Sequence, residues 1–219
     1  MRRPLAASAV AGLAALLVMS SAISARGQSP VALPPPVTDG GKPLMQVLKQ
    51  RRSAREFGTE RLSPQVLSNL LWAAWGVNRE DGRRTAPSAS NRQEIEIYVT
   101  LPDGAYVWDA RANQLTPVAA GDLRAVTGSQ QFVAAAAANL VYVADMAKAG
   151  RPATDPQGML NVGANAGFIA ENVYLFCASE GLATVVRAMV PREALAKALK
   201  LRESQVIVLA QSVGYPAKK

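Results

Sequence analysis

Residues 94–100, which read EIEIYVT, restrict the fold of this 219-residue chain more than any other stretch. Polar and apolar side chains alternate along it, which is typical of a β-strand with one buried face. Asp103 and Gly104 follow as a hairpin signal, and residues 105–108 can return beside the first strand. The chain is therefore expected to build a sheet that contains antiparallel strands.

Helical and strand-like patterns surround this hairpin in a mixed order. Ser63 is a predicted N-cap, Pro64 stands at the first position of its helix, and Gly76 ends that helix. Further helices are predicted over residues 44–50, 123–126, 132–138, 158–179 and 191–200, and further strands over 115–118, 140–144, 183–186 and 206–210. The order lacks βαβ regularity, and neither a GxGxxG fingerprint nor a P-loop motif occurs. We therefore expect an α+β fold with a mostly antiparallel central sheet flanked by helices.

The N-terminal part of the chain has the layout of a secretory signal. Arg2 and Arg3 precede an apolar run over residues 10–23, and small residues follow, so we predict a signal peptide over residues 1–27. The run is shorter than the roughly 18 residues of a spanning helix, and a retained anchor is the alternative. Paired arginines leave the Sec and twin-arginine routes both open. We expect a periplasmic or extracellular protein.

The rest of the chain divides into two predicted parts. Residues 28–43 are rich in Pro and Gly and predict an extended or flexible tether. Residues 44–219 are enough for one domain with its own core.

Composition excludes several kinds of site. The chain has no histidine and one cysteine, Cys177, which lies in an apolar helical pattern and is expected to be buried and inert. Zinc sites and Ser-His-Asp triads are therefore excluded. The net charge of +8 falls to +5 when Arg2, Arg3 and Arg26 are removed with the leader. The basic residues of the chain are scattered rather than interleaved with aromatic ones. This pattern favours an anionic surface or an anionic cofactor over nucleic acid as the binding partner.

Two polar segments are candidates for a binding site. In QRRSAREF, residues 50–57, three guanidinium groups offer planar forks that bind phosphate, although a solvated helix end would have the same composition. In APSASNRQ, residues 86–93, amide side chains offer both donors and acceptors to a planar ring, although these residue types also dominate turns.

Two more segments complete the set. Residues 158–179 carry small side chains on one face of the predicted helix and run into GLATVVRAM, residues 181–189. The chain then closes with VGYPAKK, residues 213–219. Taken in this order over residues 44–219, the segments resemble the nitroreductase-like flavoprotein superfamily, and its SagB/ThcOx-type branch in particular. The resemblance implies an α+β fold, an obligate homodimer and FMN bound non-covalently at the subunit interface.

The resemblance also implies roles for individual residues. The group expected to hold the phosphate and the pyrimidine edge of FMN comprises Arg51, Arg52, Ser53 and Arg55. The loop expected to reach the ring or the ribityl chain from the other subunit carries Ser88, Ser90, Asn91 and Gln93. Backbone N–H groups of Arg187 and Ala188 are expected near flavin N5, and Gly214 and Lys218 belong to a tail expected to close over the phosphate.

The implied activity is that of an FMN-dependent oxidoreductase working by ping-pong hydride transfer. No side chain is expected to act as a catalytic acid or base, and Arg55 is expected to stabilise negative charge on the reduced ring. A flat electrophile such as a nitroaromatic or quinone is the expected acceptor. NAD(P)H is a candidate donor, but it is scarce outside the cytoplasm. The Lys and Tyr pair of the azoline-oxidising members is not identifiable. A flavin-binding or storage protein and a cofactor-free interaction module are the alternatives.

Overall fold

The computed structural model describes residues 29–218, so the predicted signal peptide lies outside the described residues. The described residues form a seven-stranded sheet in the order β1-β4-β3-β2-β5-β7-β6. Its strands are β1 (Val31–Ala32), β2 (Ile95–Leu101), β3 (Gly104–Asp109), β4 (Gln114–Ala120), β5 (Ala138–Asp145), β6 (Ala183–Arg187) and β7 (Gln205–Gly214). Every neighbouring pair is antiparallel, and β2 and β3 form the predicted hairpin. The predicted α+β class is confirmed.

Six α-helices accompany this sheet in the described part of the chain. They are α1 (Leu44–Gln50), α2 (Pro64–Trp75), α3 (Phe132–Ala135), α4 (Met146–Ala149), α5 (Pro156–Glu180) and α6 (Arg192–Ala198). The capping signals place the ends of α2 as expected, since the Ser63 hydroxyl accepts a hydrogen bond from the Val66 N–H and Gly76 follows the last turn. Gly181 ends α5 in the left-handed conformation, with φ at 72°. Within residues 29–218, no helix is long and apolar enough to cross a membrane.

One predicted helix is wrong at its C-terminal end. The alanine-rich run 132–138 predicts a helix throughout, but α3 ends at Ala135 and Ala138 already belongs to β5. Ala138 is fully buried and pairs with Val213 of β7. Tertiary pairing therefore overrides the intrinsic helix preference of alanine. The short elements β1 and α4 were not predicted.

The core has two layers, one on each face of the sheet. Helices α2 and α5 pack on one face, where Leu71 and Ile169 meet Leu140 and Tyr142 of β5. On the other face, Leu195 of α6 belongs to a separate cluster that includes β5 residues. Since β5 is buried on both faces, it reads as an apolar run rather than as an alternating strand.

Residues 31–43, named here the N-terminal strap, cross the helical layer from one side of the domain to the other. Val31 pairs with Leu115 of β4. The Pro34 carbonyl then accepts hydrogen bonds from Ser68 Oγ at 2.6 Å and from Asn113 Nδ2 at 2.8 Å. At the far end, the Lys42 N–H donates to Ser179 Oγ near the C-terminus of α5. The strap, which lies in the predicted tether, is extended and hydrogen-bonded to the domain at both ends.

Candidate functional site

The segment QRRSAREF leaves α1 and lies against β6, the edge strand of the sheet. β6 pairs with β7 on one side, and on the other its Thr184 carbonyl accepts a hydrogen bond from the Ala54 N–H at 2.9 Å. Tyr174 of α5 connects the two segments, because its phenol oxygen accepts from the Val186 N–H and lies 2.8 Å from Ser53 Oγ. Backbone and hydroxyl contacts therefore fix the segment against the sheet edge.

A basic cleft of about 530 Å³ opens beside this segment. Its charged lining residues are Lys42, Lys49, Arg51 and Arg52, and none of the residues that line it is Asp or Glu. The Arg51 guanidinium lies over the Tyr174 ring, 5.3 Å from its centroid, which is a cation–π arrangement. A concave surface with four cations and no acidic group attracts anions, and arginine forks suit a phosphate in particular.

The C-terminal tail is fixed beside the same segment. Gly58 donates its N–H to the Tyr215 carbonyl at 2.9 Å, and Phe57 forms a β-bridge with Pro216. Gly214 allows this close passage, because a Cβ atom there would lie 3.0 Å from the Ala137 nitrogen and 3.1 Å from the Phe57 ring. The tail therefore runs antiparallel to residues 56–58, and Lys218, the last residue that the structure describes, is exposed.

The predicted phosphate group is only partly assembled in one chain. Arg51 is half-buried and Arg52 is exposed, and both line the cleft. Ser53 is held by Tyr174. Arg55 and Lys218 are exposed and do not belong to the lining of the cleft.

Arg187 and Ala188 lie at the end of β6. The guanidinium of Arg187 is buried and donates to the Thr127 carbonyl at 2.7 Å and to Asn139 Oδ1 at 3.0 Å. Burial lowers the pKa of Arg187 to about 10. Its side chain is thus engaged inside the domain, and its backbone pairs with Ala210 of β7. Ala188 is exposed directly after the strand.

The predicted loop, residues 88–93, lies towards the other end of α5. The Ala89 N–H donates to Asn165 Oδ1 at 3.3 Å, and Asn165 Nδ2 donates to the buried Glu94 at 2.7 Å. Asn165 precedes Tyr174 by nine residues, which is ~14 Å along a helix. The lining of the basic cleft includes none of Ser88, Ser90, Asn91 and Gln93. One chain does not bring the two predicted groups together in that cleft.

Sequence reasoning missed several residues of the cleft. Lys42 and Lys49 precede the arginines by few positions, so clustering of basic residues could have indicated them. Tyr174 gave no such signal, because it stands in an apolar helical pattern and its partner Ser53 is 121 residues away. Cys177 is fully buried as predicted, and burial raises the pKa of its thiol well above the usual range.

Comparisons with known proteins agree with this architecture. The sequence profile described as the Nitroreductase family matches residues 48–215. A protein of Methanocaldococcus jannaschii, assigned as a nitroreductase by name only, is 31% identical over 176 residues, which cover 76% of this chain and 88% of the relative. A crystal structure from Ralstonia eutropha JMP134, likewise assigned by name, is 41% identical and covers 88% of this chain and 91% of its own, with a TM-score of 0.82.

A third relative supports the fold alone. A crystal structure from Desulfovibrio desulfuricans, also assigned as a nitroreductase by name and solved in complex with FMN, is 21% identical and has a TM-score of 0.58. It covers 82% of this chain and 89% of its own. With a profile match over most of the domain and two relatives above 30% identity, this chain belongs to the nitroreductase family.

Proposed function

We propose that this protein is an exported, FMN-dependent oxidoreductase that passes a hydride equivalent from an electron donor to a flat electrophile such as a nitroaromatic or a quinone. Membership of the nitroreductase family makes it an oxidoreductase. The observation that carries the cofactor proposal is the basic cleft beside the sheet edge, where four cations meet no acidic residue. The finer assignment to the SagB/ThcOx-type branch rests on the ordered sequence segments.

The residues around the cleft fit FMN. Arg51 and Arg52 would hold its phosphate dianion, with Lys42 and Lys49 adding charge to the same cleft. The bound flavin supplies the hydride chemistry, which explains why a chain without histidine can serve as a redox enzyme. Arg55 is an exposed residue of the same segment, where a guanidinium can stabilise negative charge that develops on a bound ring.

A second copy of the chain would complete the site. Large apolar side chains are exposed on α1 and α5, including Met45 at 77%, Leu160 at 65% and Phe168 at 48%. Burial of these side chains against a second copy would stabilise a dimer. In a homodimer formed through these helices, the loop of one subunit would meet the basic cleft of the other. This arrangement accounts for the separation of the two predicted groups within one chain.

The electron donor and the compartment belong to the same proposal. The predicted leader directs the protein to the periplasm or beyond, by the Sec or the twin-arginine route. NAD(P)H or another reduced carrier is the proposed donor, with the donor and the acceptor binding in turn.

An absorbance spectrum of residues 28–219 tests the cofactor and the activity together. We expect a yellow protein with an absorbance band at about 450 nm. An electron donor should bleach this band under anaerobic conditions, and an electrophile should restore it. A bound flavin that neither NADH, NADPH nor dithionite-reduced carriers can bleach would favour the flavin-binding alternative. Failure to take up FMN at all would contradict the proposal.

Heterodimers of two variants test the shared site. Arg51→Ala damages the basic cleft of its own subunit, whereas Asn91→Ala damages the loop that the subunit offers to its partner. Each homodimer should be poorly active, but a heterodimer purified through two different tags should contain one intact site. No recovery of activity in the heterodimer would contradict a site built from two subunits.

A further inference from the structure

The loop from Ser88 to Gln93 adopts a conformation that few sequences tolerate. Ser90, Asn91 and Gln93 have φ angles of 52°, 51° and 49°, which lie in the left-handed region. A side chain with a Cβ atom is strained there, and three such residues within four positions need external support. Contacts outside the backbone of the loop must therefore fix its shape.

The amide of Gln93 provides part of that support. Its Oε1 accepts a hydrogen bond from Arg84 Nε at 2.8 Å. Its Nε2 donates to the Gly82 carbonyl at 3.1 Å and to Asn91 Oδ1 at 3.0 Å. The Gln93 N–H also donates to Ser88 Oγ at 3.1 Å. Both ends of the amide are engaged inside the protein, so Gln93 acts on the loop rather than as a free group for the flavin ring.

Arg84 connects this amide to the rigid part of the domain. Its guanidinium lies 5.0 Å from the centroid of the Trp75 ring, and its Nη1 donates to the Trp75 carbonyl at 2.8 Å. Trp75 is 2% exposed and donates its indole N–H to the Ile95 carbonyl of β2. The guanidinium is thus fixed at the end of α2 by stacking and by a hydrogen bond, with its Nε directed at Gln93.

We infer that Arg84 is a positioning residue, which fixes Gln93 and through it the shape of the loop that each subunit offers to the cofactor site of the other. This inference rests on the proposed shared site. The role requires a planar fork, because one group must stack on Trp75 while it donates in two different directions. Lysine keeps the charge but cannot make these contacts together.

Single variants of the holoenzyme provide the first test. We expect Arg84→Lys to weaken FMN binding and to lower kcat/KM, each by about tenfold, because the charge-assisted hydrogen bond to Gln93 is lost. Arg83→Ala is the matched control. Arg83 is exposed, and among the described residues its guanidinium pairs only with the exposed Asp81. Unchanged FMN affinity and kcat/KM in Arg84→Lys would overturn the inference.

Heterodimers show on which subunit Arg84 acts. In a heterodimer with Arg51→Ala, the Arg84→Ala subunit should restore one intact site. Its damaged loop serves the cleft that already lacks Arg51, while its own intact cleft receives the intact loop of the Arg51→Ala subunit. Paired with Asn91→Ala, it should restore none, because each site then receives one damaged loop. A residue that merely stabilised the cleft of its own subunit would give the reverse pattern. The pair with Arg51→Ala would then recover no activity, and the pair with Asn91→Ala would recover one intact site. That reversed pattern would overturn the inference, since a positioning role in the partner's site cannot produce it.

The Arg51→Ala and Asn91→Ala pair separates the two levels of the proposal. If that pair does not recover activity, the shared site itself is wrong. If it recovers while the Arg84→Ala and Arg51→Ala pair does not, the role of Arg84 is overturned and the shared site stands. Should Arg84→Ala not fold, the same pairings are made with Arg84→Lys.

Discussion

At the scale of single residues, the candidate site depends on side chains that the fold holds in different ways. Arg51 is stacked on Tyr174, Ser53 is hydrogen-bonded to the same phenol, and Arg52 is exposed at the edge of the cleft. Stacked and hydrogen-bonded groups are already ordered before a ligand arrives, and therefore lose little conformational freedom on binding. An exposed arginine contributes through charge and through its fork geometry alone.

Arg52→Ala is expected to weaken FMN binding by about 1.5–3 kcal/mol, because one charge-assisted hydrogen bond to the phosphate is removed. Stability should change little, since the side chain is exposed. Fluorescence titration with FMN measures the affinity, with Arg83→Ala as a control of equal charge loss. Equal affinities for Arg52→Ala and the control would show that Arg52 does not touch the phosphate.

Tyr174→Phe keeps the ring under Arg51 but removes the hydroxyl that joins Ser53 to β6. The Val186 N–H then loses its acceptor, and an unsatisfied group of this kind costs about 1–3 kcal/mol. We expect a lower free energy of unfolding in urea and weaker FMN binding. An unfolding curve that superposes on that of the parent would contradict the role of the phenol.

At the scale of elements, local signals predicted most of the fold. The Ser63, Pro64 and Gly76 signals define α2, and alternation correctly located β2. The expected single buried face of β2 is wrong, because Tyr98 and Thr100 on its other face are also buried under the second core cluster and the neighbouring strands. Local signals failed where distant contacts decide: Ala138 joins β5 instead of extending α3, and the two-residue β1 exists through its pairing with β4. The candidate site was likewise predicted where local sequence decides and missed where distant contacts decide. Sequence order indicated the arginine segment and the loop, but the junction at Tyr174 and the support by Arg84 depend on three-dimensional proximity.

Removal of the N-terminal strap is expected to destabilise the domain by about 1–3 kcal/mol for each buried polar group that it leaves without a partner. Ser68 is fully buried and donates to the Pro34 carbonyl of the strap. Urea unfolding of residues 29–219 and 44–219 measures the difference. Lys42→Ala in the longer chain separates the loss of one cleft charge from the loss of the strap. Equal stabilities of the two chains would contradict this prediction.

At the scale of the whole molecule, the two predicted groups lie apart, and a single copy does not bring them together. The segment that holds Arg51 lies against β6, whereas the loop that holds Asn91 contacts α5 near Asn165. A long helix that spans both regions and exposes Phe168 is a natural element for pairing two copies. Assembly and cofactor binding are therefore expected to depend on each other.

Light scattering on the FMN-loaded protein is expected to give twice the mass of one chain. Phe168→Asp should shift the equilibrium towards the monomer and release FMN, because a charge would be buried in the interface. Val37→Asp, which changes an exposed apolar residue of the strap, is the matched control. A monomeric mass for the loaded parent protein, or equal masses for the two variants, would contradict the shared site.

The strap also determines the order in which this domain can be completed. Its Pro34 carbonyl meets Asn113, 79 residues further along, and its Lys42 N–H meets Ser179, 137 residues further along. Closing loops of this length is entropically unfavourable until the partners are themselves in place. The strap, residues 31–43, is therefore expected to dock only after Asn113 and Ser179 have been synthesised and placed, so an early segment of the domain is completed late.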